Sequence, residues 1–226
     1  MEKDTFIMQK FNPTELIMDK FDVYSRSAFI EIINRAYTWF NTWALDPNNE
    51  VLLKYKKKYT RGHLIGFAVE YFAIEAVNSG ELPLKAKFCF TKKGFPYLVL
   101  FDDEETFELT INQTKNIETA PQHAENRQSR INKFTSEFNL FKGTFEDEDA
   151  ENKFYFQLTH GYQGNEPNFI GLGIQEIKNT WLRCIDISKE IHFINGNKIA
   201  NTEQSVFDIP NLADMQETIK ELMENE

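Results

Sequence analysis

The chain has 226 residues, 41% of them hydrophobic and 14% aromatic, and it carries a formal net charge of −10. Its length suits one domain or two small ones, and its apolar content excludes a mainly disordered chain. The excess of acid argues against generic binding to DNA, RNA or anionic membranes, because that binding requires Lys and Arg to neutralise phosphates. Cys89 and Cys184 lie far apart without a CxxC spacing, which argues against a disulfide framework or a cysteine zinc site.

The first third of the chain is predicted to be helical. Residues 12–15, Asn-Pro-Thr-Glu, have the order of an N-cap, a proline and a first-turn acid, which predicts a short helix over about 13–21. Apolar residues at steps of three and four predict a second helix from Ser27. A third helix is predicted over 61–79, with Gly80 as its left-handed stop.

The rest of the chain is predicted to be mainly strands. Short aromatic and β-branched runs over 86–91, 95–101 and 106–111 predict an antiparallel meander. The later elements are a helix over 122–140, strands near 153–159, 168–174 and 181–187, a hairpin turning at Asn195-Gly196, and a helix from Asn211 or Leu212 to about Met223. The fold class is therefore predicted as α+β: N-terminal helices, an antiparallel meander, a second antiparallel strand set with a hairpin, and a C-terminal helix.

The domain organisation is predicted to be a single compact unit over 1–226. The segment 113–125 is the best boundary, and a division into a helical and meander half, 1–115, and a helix and sheet half, 122–226, stays open. No stretch has the length and apolarity of a membrane span, and the first four residues lack the layout of a signal peptide. We therefore expect a cytoplasmic protein without membrane contact.

The acidic turn at 102–105 is the first candidate for chemistry. Asp102, Asp103 and Glu108 could surround Mg²⁺ in a nuclease or phosphoesterase, since this ion prefers oxygen ligands. In that alternative Lys56, Lys57 and Arg61 would hold the nucleic-acid backbone. However, Thr110 stands where the Glu-x-Lys pattern of nucleases has lysine, and four consecutive acids are typical of a solvated turn. Mg²⁺ is predicted only for this nuclease alternative; otherwise the sequence predicts no metal and no cofactor.

The segment 159–164 contains the most suggestive histidine, His160, where a strand is expected to give way to a loop. His160 and the nearby Tyr162 are candidates for binding, and His160 is also a candidate for catalysis. No Gly-x-Ser-x-Gly or His-Glu-x-x-His pattern accompanies them, so neither a triad nor a zinc site is assembled. The simpler interpretation is a histidine that caps a turn. Gly171-Leu172-Gly173 lacks the third glycine of a dinucleotide motif and indicates bends in a strand.

Two basic segments complete the candidates for binding. The run 54–61 interleaves cations with tyrosines, a pattern that favours a phosphate backbone with stacked bases. A second set repeats at three-residue steps along a predicted helix and could dock an acidic partner. The candidate binding residues are Lys56, Lys57, Lys58, Arg61, Arg127, Arg130 and Lys133. The alternative is that both sets solvate helices and balance the acidic loops.

Two segments of the C-terminal half carry a resemblance. Arg127 to Phe141 (RQSRINKFTSEFNLF) and Phe154 to Gly173 (FYFQLTHGYQGNEPNFIGLG), followed by Trp181 and Asp186, resemble a family of uncharacterised bacterial and phage-associated proteins. The resemblance implies a bacterial or phage origin and brings no activity that could be assigned to these residues.

The absence of a coherent catalytic pattern predicts a non-enzymatic intracellular binding or regulatory protein with a protein partner, which acts through its charged helices and the 159–164 loop. The resemblance implies a bacterial or phage origin and with it an antitoxin-like or defence-related role. The alternatives are the metal-dependent nuclease or phosphoesterase described above and a nucleic-acid-binding protein that does not cleave. A further alternative is mimicry of nucleic acid by the acidic runs at 102–105 and 146–151, together with Glu217, Glu221 and Glu224 on the last helix.

Overall fold

The computed structural model describes residues 12–45, 49–122, 124–137, 154–161, 164–176, 180–190 and 210–224, and of these it describes 50–59 and 132–137 by their backbone alone. The helices in this part of the chain are α1 (Pro13–Lys20), α2 (Val23–Leu45), α3 (Glu50–Asn78), α4 (Glu125–Glu137) and α5 (Leu212–Glu224). The strands are β1 (Lys85–Phe90), β2 (Pro96–Phe101), β3 (Phe107–Gln113), β4 (Phe154–His160), β5 (Ile170–Gln175) and β6 (Trp181–Asp186). The predicted α+β class is confirmed, while the hairpin predicted at Asn195-Gly196 lies outside the described residues.

The first two helices begin at side-chain caps. Asn12 Oδ1 accepts a hydrogen bond from the Thr14 N–H at 3.0 Å, which confirms the predicted N-cap of α1. Helix α2 begins at Val23, four residues before the predicted Ser27, because Asp22 Oδ1 accepts from the Ser25 N–H at 2.8 Å and caps its first turn. The prediction missed this start because it followed the apolar spacing alone.

Helix α3 is longer than the 61–79 that the apolar spacing predicts. It begins at Glu50, so the basic run 54–61 forms part of its first half. The reason is that residues 50–61 contain neither glycine nor proline, and lysine is a good helix former. The predicted end is confirmed, since Gly80 follows the helix with a φ of +75°.

The strands form one six-stranded sheet in the order β1-β2-β3-β4-β5-β6. The predicted meander is confirmed as the antiparallel pairs β1–β2 and β2–β3, and β4–β5 and β5–β6 are also antiparallel. The central pair, β3–β4, is parallel and in register from Phe107↔Phe154 to Gln113↔His160. A parallel pair needs a crossover, and the chain between these strands contains α4. The two predicted strand sets therefore belong to a single sheet.

Helices α1, α2 and α3 contribute to a core on one face of the sheet. Phe21, which follows α1, packs edge-on against Phe107 and Phe156, with ring centroids 4.9 and 5.0 Å apart. Since side chains alternate along a strand, His160 lies on the same face as Phe156. The opposite face carries polar side chains that meet α4 and the segment before it.

Strand β5 needs its two glycines because neighbouring strands approach closely. A Cβ built on Gly173 would lie 2.6 Å from the Arg183 carbonyl oxygen, and one built on Gly171 would lie 2.8 Å from Thr159 Oγ1. Both glycines lie within the strand, whose register with β6 shifts at Ile174/Gln175. This agrees with the interpretation of the segment as an irregular strand.

Candidate functional site

The C-terminal end of β4 is fixed by a buried tyrosine–histidine pair. His160 is 1% exposed, and its Nδ1 lies 3.0 Å from the hydroxyl of Tyr37 on α2. The same hydroxyl donates its single proton to the Gly161 carbonyl oxygen. We infer that His160 Nδ1 carries a hydrogen and donates it to the tyrosine oxygen, which sets the tautomer of the ring.

Burial suppresses the acid–base chemistry expected of this histidine. It lowers the pKa of His160 to about 4, so the imidazole is neutral at pH 7. Burial also raises the pKa of the Tyr37 hydroxyl above its ordinary value. His160 does lie where the strand ends, as predicted, but it faces the helices and not solvent. Its role in the structure is to hold the start of the following loop against α2.

Arg61 holds the same loop from α3. The residue is 9% exposed, and its Nη2 donates to the Gly164 carbonyl oxygen and, at 3.0 Å, to Asn165 Oδ1. Its guanidinium lies 5.1 Å from the ring centroid of Phe40. Burial lowers the pKa of Arg61. A residue predicted to contact nucleic acid is thus bound inside the fold, where it positions residues 164 and 165.

A polar groove lies between α2 and this loop. Its volume is 410 Å³, within the range of small-ligand sites. It is lined by Asn34, Tyr37, Thr38, Asn41, Thr42 and Leu45 of α2 and by Asn165, Glu166 and Pro167 of the loop. Most of the α2 members recur at steps of three and four residues, which places them on one face of the helix. Asn41 Nδ2 donates to the Asn165 carbonyl oxygen at 2.7 Å and ties the two walls together.

Two of the three acids of the nuclease alternative have separate cationic partners, and the third, Asp102, accepts hydrogen bonds from Thr106 Oγ1 and, at 3.3 Å, from the Phe107 N–H. The carboxylate of Asp103 is 85% exposed and lies 3.1 Å from Lys85 Nζ. Glu108 is largely buried and lies 2.5 Å from Arg130 Nε, with Lys87 Nζ at 3.8 Å. Across the described residues, no group of three or more His, Cys, Asp or Glu side chains is placed to hold a metal ion.

The basic stripe on α4 faces the polar side of the sheet. Arg130 donates to Glu108 and to the Tyr97 hydroxyl at 2.8 Å. Burial alone would lower the pKa of Arg130, but the hydrogen bond and charge of Glu108 raise it above its usual value. Arg127 donates to Asn112 Oδ1 at 2.8 Å and to the Gln122 carbonyl oxygen, and burial lowers its pKa. These two arginines are therefore bound to the sheet and its neighbouring segment.

The remaining candidates lie where the structure gives no side-chain contacts. Lys56, Lys57 and Lys58 are on α3 and Lys133 is on α4, each described by its backbone alone. Tyr162 and the acidic run 146–151 lie outside the described residues. Their predicted roles stay predictions.

Comparison with known proteins returns no match to a protein family, to a curated protein or to a solved structure. The resemblance of the C-terminal half therefore stays a prediction. Among the described helices, none combines the length and apolarity needed to cross a membrane.

The groove is the site that sequence reasoning missed. Asn34, Thr38 and Asn41 follow helical spacing on the side of α2 away from its apolar residues, which is also the pattern of an ordinary solvated helix face. The only signal nearby was the loop after His160, which the sequence singled out for another reason. The pairing of this loop with α2 depends on Tyr37 and Arg61, which are distant from it in sequence.

Proposed function

We propose that the chain is a non-enzymatic binding protein whose partner is a protein segment held in the groove between α2 and residues 164–167. The observation that supports this most is the fixed geometry of the groove walls. Arg61, Tyr37 and Asn41 each bond to backbone or amide groups of the loop, so the groove exists before a partner arrives. A preformed site avoids the entropic cost of ordering a loop on binding.

The chemistry of the groove favours binding over catalysis. The Tyr37 hydroxyl is engaged with Gly161 and His160, so it is not poised as an acid, a base or a nucleophile. The other lining side chains that carry polar groups are amides, threonines and Glu166. A regulatory role inside a bacterial or phage-infected cell agrees with this proposal and rests on the sequence.

The test is to fill the groove without disturbing the core. Thr38 is exposed on α2, so Thr38→Trp should occupy the groove while the fold is retained. Gln216→Trp, at an exposed position on α5, is the matched control. We expect a stoichiometric partner from the native host to co-purify with the wild type and with Gln216→Trp, and to be lost from Thr38→Trp. Equal capture by all three proteins would place the working surface elsewhere.

The alternative of a nuclease has its own test. Mg²⁺-dependent cleavage of DNA or RNA by the purified chain, lost on Glu108→Gln and kept in Thr38→Trp, would replace the proposal. For nucleic-acid binding without cleavage, the decisive result is an affinity that falls steeply with salt and collapses when Lys56, Lys57 and Lys58 become glutamate.

A further inference from the structure

The groups that line the groove have a defined hydrogen-bonding capacity. Asn41 Nδ2 and Asn165 Oδ1 are already committed, the first to the Asn165 carbonyl oxygen and the second to Arg61. Asn41 Oδ1 is therefore left as an acceptor. Thr42 Oγ1 donates its proton to the Thr38 carbonyl oxygen at 3.0 Å, so towards a ligand it also acts as an acceptor.

Among the described residues that line the groove, the ionisable groups are Glu166 and the buried hydroxyl of Tyr37. Glu166 is exposed, and no described cation forms an ion pair with it. Arg61 donates a hydrogen bond to Asn165, which lines the groove, but Arg61 itself is buried and is not among the described lining residues. Within the described lining, a ligand therefore meets one carboxylate and several neutral acceptors, and it meets no positive charge.

The geometry points to an arginine side chain of a partner protein as the group that the groove binds. This inference rests on the proposed function and names the chemistry of its partner. A guanidinium offers five N–H donors in a plane, which suits Glu166 on one wall and Asn41 and Thr42 on the other. Leu45, which is 82% exposed, and Pro167 offer apolar surface to the methylene stem. The net charge of −10 adds a long-range attraction for a basic segment.

The test uses acetyl-arginine amide as the probe and the neutral isostere acetyl-citrulline amide as its control. Binding is followed by NMR through the side-chain amide resonances of Asn34 and Asn41. We expect saturable shifts with the arginine probe and several-fold weaker binding of the citrulline probe. Glu166→Gln should weaken the arginine probe about fivefold, since Glu166 is exposed and solvent screens its ion pair with the guanidinium.

A second acid serves as the matched control for charge alone. Glu104 lies in the turn before β3, and the first residue of β3 pairs with the first residue of β4. The loop that lines the groove follows the opposite end of β4, after its last residue. A strand of seven residues spans roughly 20 Å, so Glu104→Gln removes one charge far from the groove. We expect the affinity of Glu104→Gln for the probe to stay within about twofold of wild type.

Three results would overturn the inference: shifts that do not saturate, equal binding of the citrulline probe, or an equal loss in Glu104→Gln and Glu166→Gln. If the probe fails while Thr38→Trp still loses the native partner, the groove is a docking site for a different chemistry. If Thr38→Trp keeps the partner, the proposed function itself is wrong.

Discussion

The stability of the fold between pH 7 and pH 4.5 depends on the buried His160 and the partly buried Glu70, which act in opposite directions. Burial lowers the pKa of His160 to about 4 from an ordinary 6.5. Burial also raises the pKa of Glu70, on α3, to about 7 from an ordinary 4.5, although its carboxylate accepts a hydrogen bond from the Leu98 N–H at 3.4 Å. Among the described groups with displaced pKa values, these two bind different numbers of protons in the folded and unfolded chain across that range.

The sign of each contribution follows from which state binds the proton first. As the pH falls, the unfolded chain protonates its histidine before the folded one does, so His160 reduces the free energy of unfolding. The folded chain protonates Glu70 before the unfolded one does, so Glu70 increases it. From the pKa values above, each effect amounts to about 2.5 kcal/mol between pH 7 and pH 4.5, and the two nearly cancel.

Glu70→Gln removes the contribution of Glu70 to the pH dependence of the free energy of unfolding, so the contribution of His160 can be measured. The amide keeps an acceptor for the Leu98 N–H and does not titrate, so the variant should be more stable than wild type by about 2.5 kcal/mol at pH 7 and about equal to it at pH 4.5. Urea unfolding followed by tryptophan fluorescence at both pH values measures this. A Glu70→Gln profile as flat as that of wild type would refute the reasoning.

Two further predictions concern packing and charge, each with a matched control. Gly173→Ala should destabilise the fold by about 1–3 kcal/mol because its Cβ would meet the Arg183 carbonyl oxygen. Gly62→Ala, whose Cβ would lie 3.4 Å from Gln113 Oε1, should be neutral or stabilising by up to ~1 kcal/mol. Equal thermal midpoints would contradict this pair. Arg130→Met should cost about 2 kcal/mol or more, since Glu108 loses its shortest contact, whereas Lys85→Met should cost under ~1 kcal/mol. Equal losses in urea unfolding would show that burial of the pair is unimportant.

Local signals in the sequence predicted the elements that are set by local physics. The amide of Asn12 and the left-handed Gly80 marked helix ends because their effects act within a few residues. The gap between the predicted strands 86–91 and 95–101 also matches a short loop, in which Gly94 has a φ of +79°. The start of α2 at Asp22 was also a local signal, but one that the apolar spacing obscured.

The pairing of strands that are distant in the chain could not be predicted from the sequence. The parallel register of β3 with β4 joins residues about 47 positions apart, and nothing in either strand specifies a parallel partner over an antiparallel one. The same limit applies to the arginines. Spacing of three residues places Arg127 and Arg130 on one side of a helix, but only the polar face of the sheet, with Asn112 and Glu108, determines that this side is covered.

The positions of the arginines show which of the positive charges are bound within the fold. Arg26 and Arg130 are bound to Glu190 and Glu108 inside the fold, while Arg61 and Arg127 donate to carbonyl and amide oxygens. Cations held in this way cannot contact phosphates, although the sequence-based alternatives required Arg61 to do so. Among the described residues, the surface of the groove therefore presents the carboxylate of Glu166, while the guanidinium of Arg61 is bound inside the fold. A partner that supplies its own cation satisfies this surface better than one that supplies phosphate.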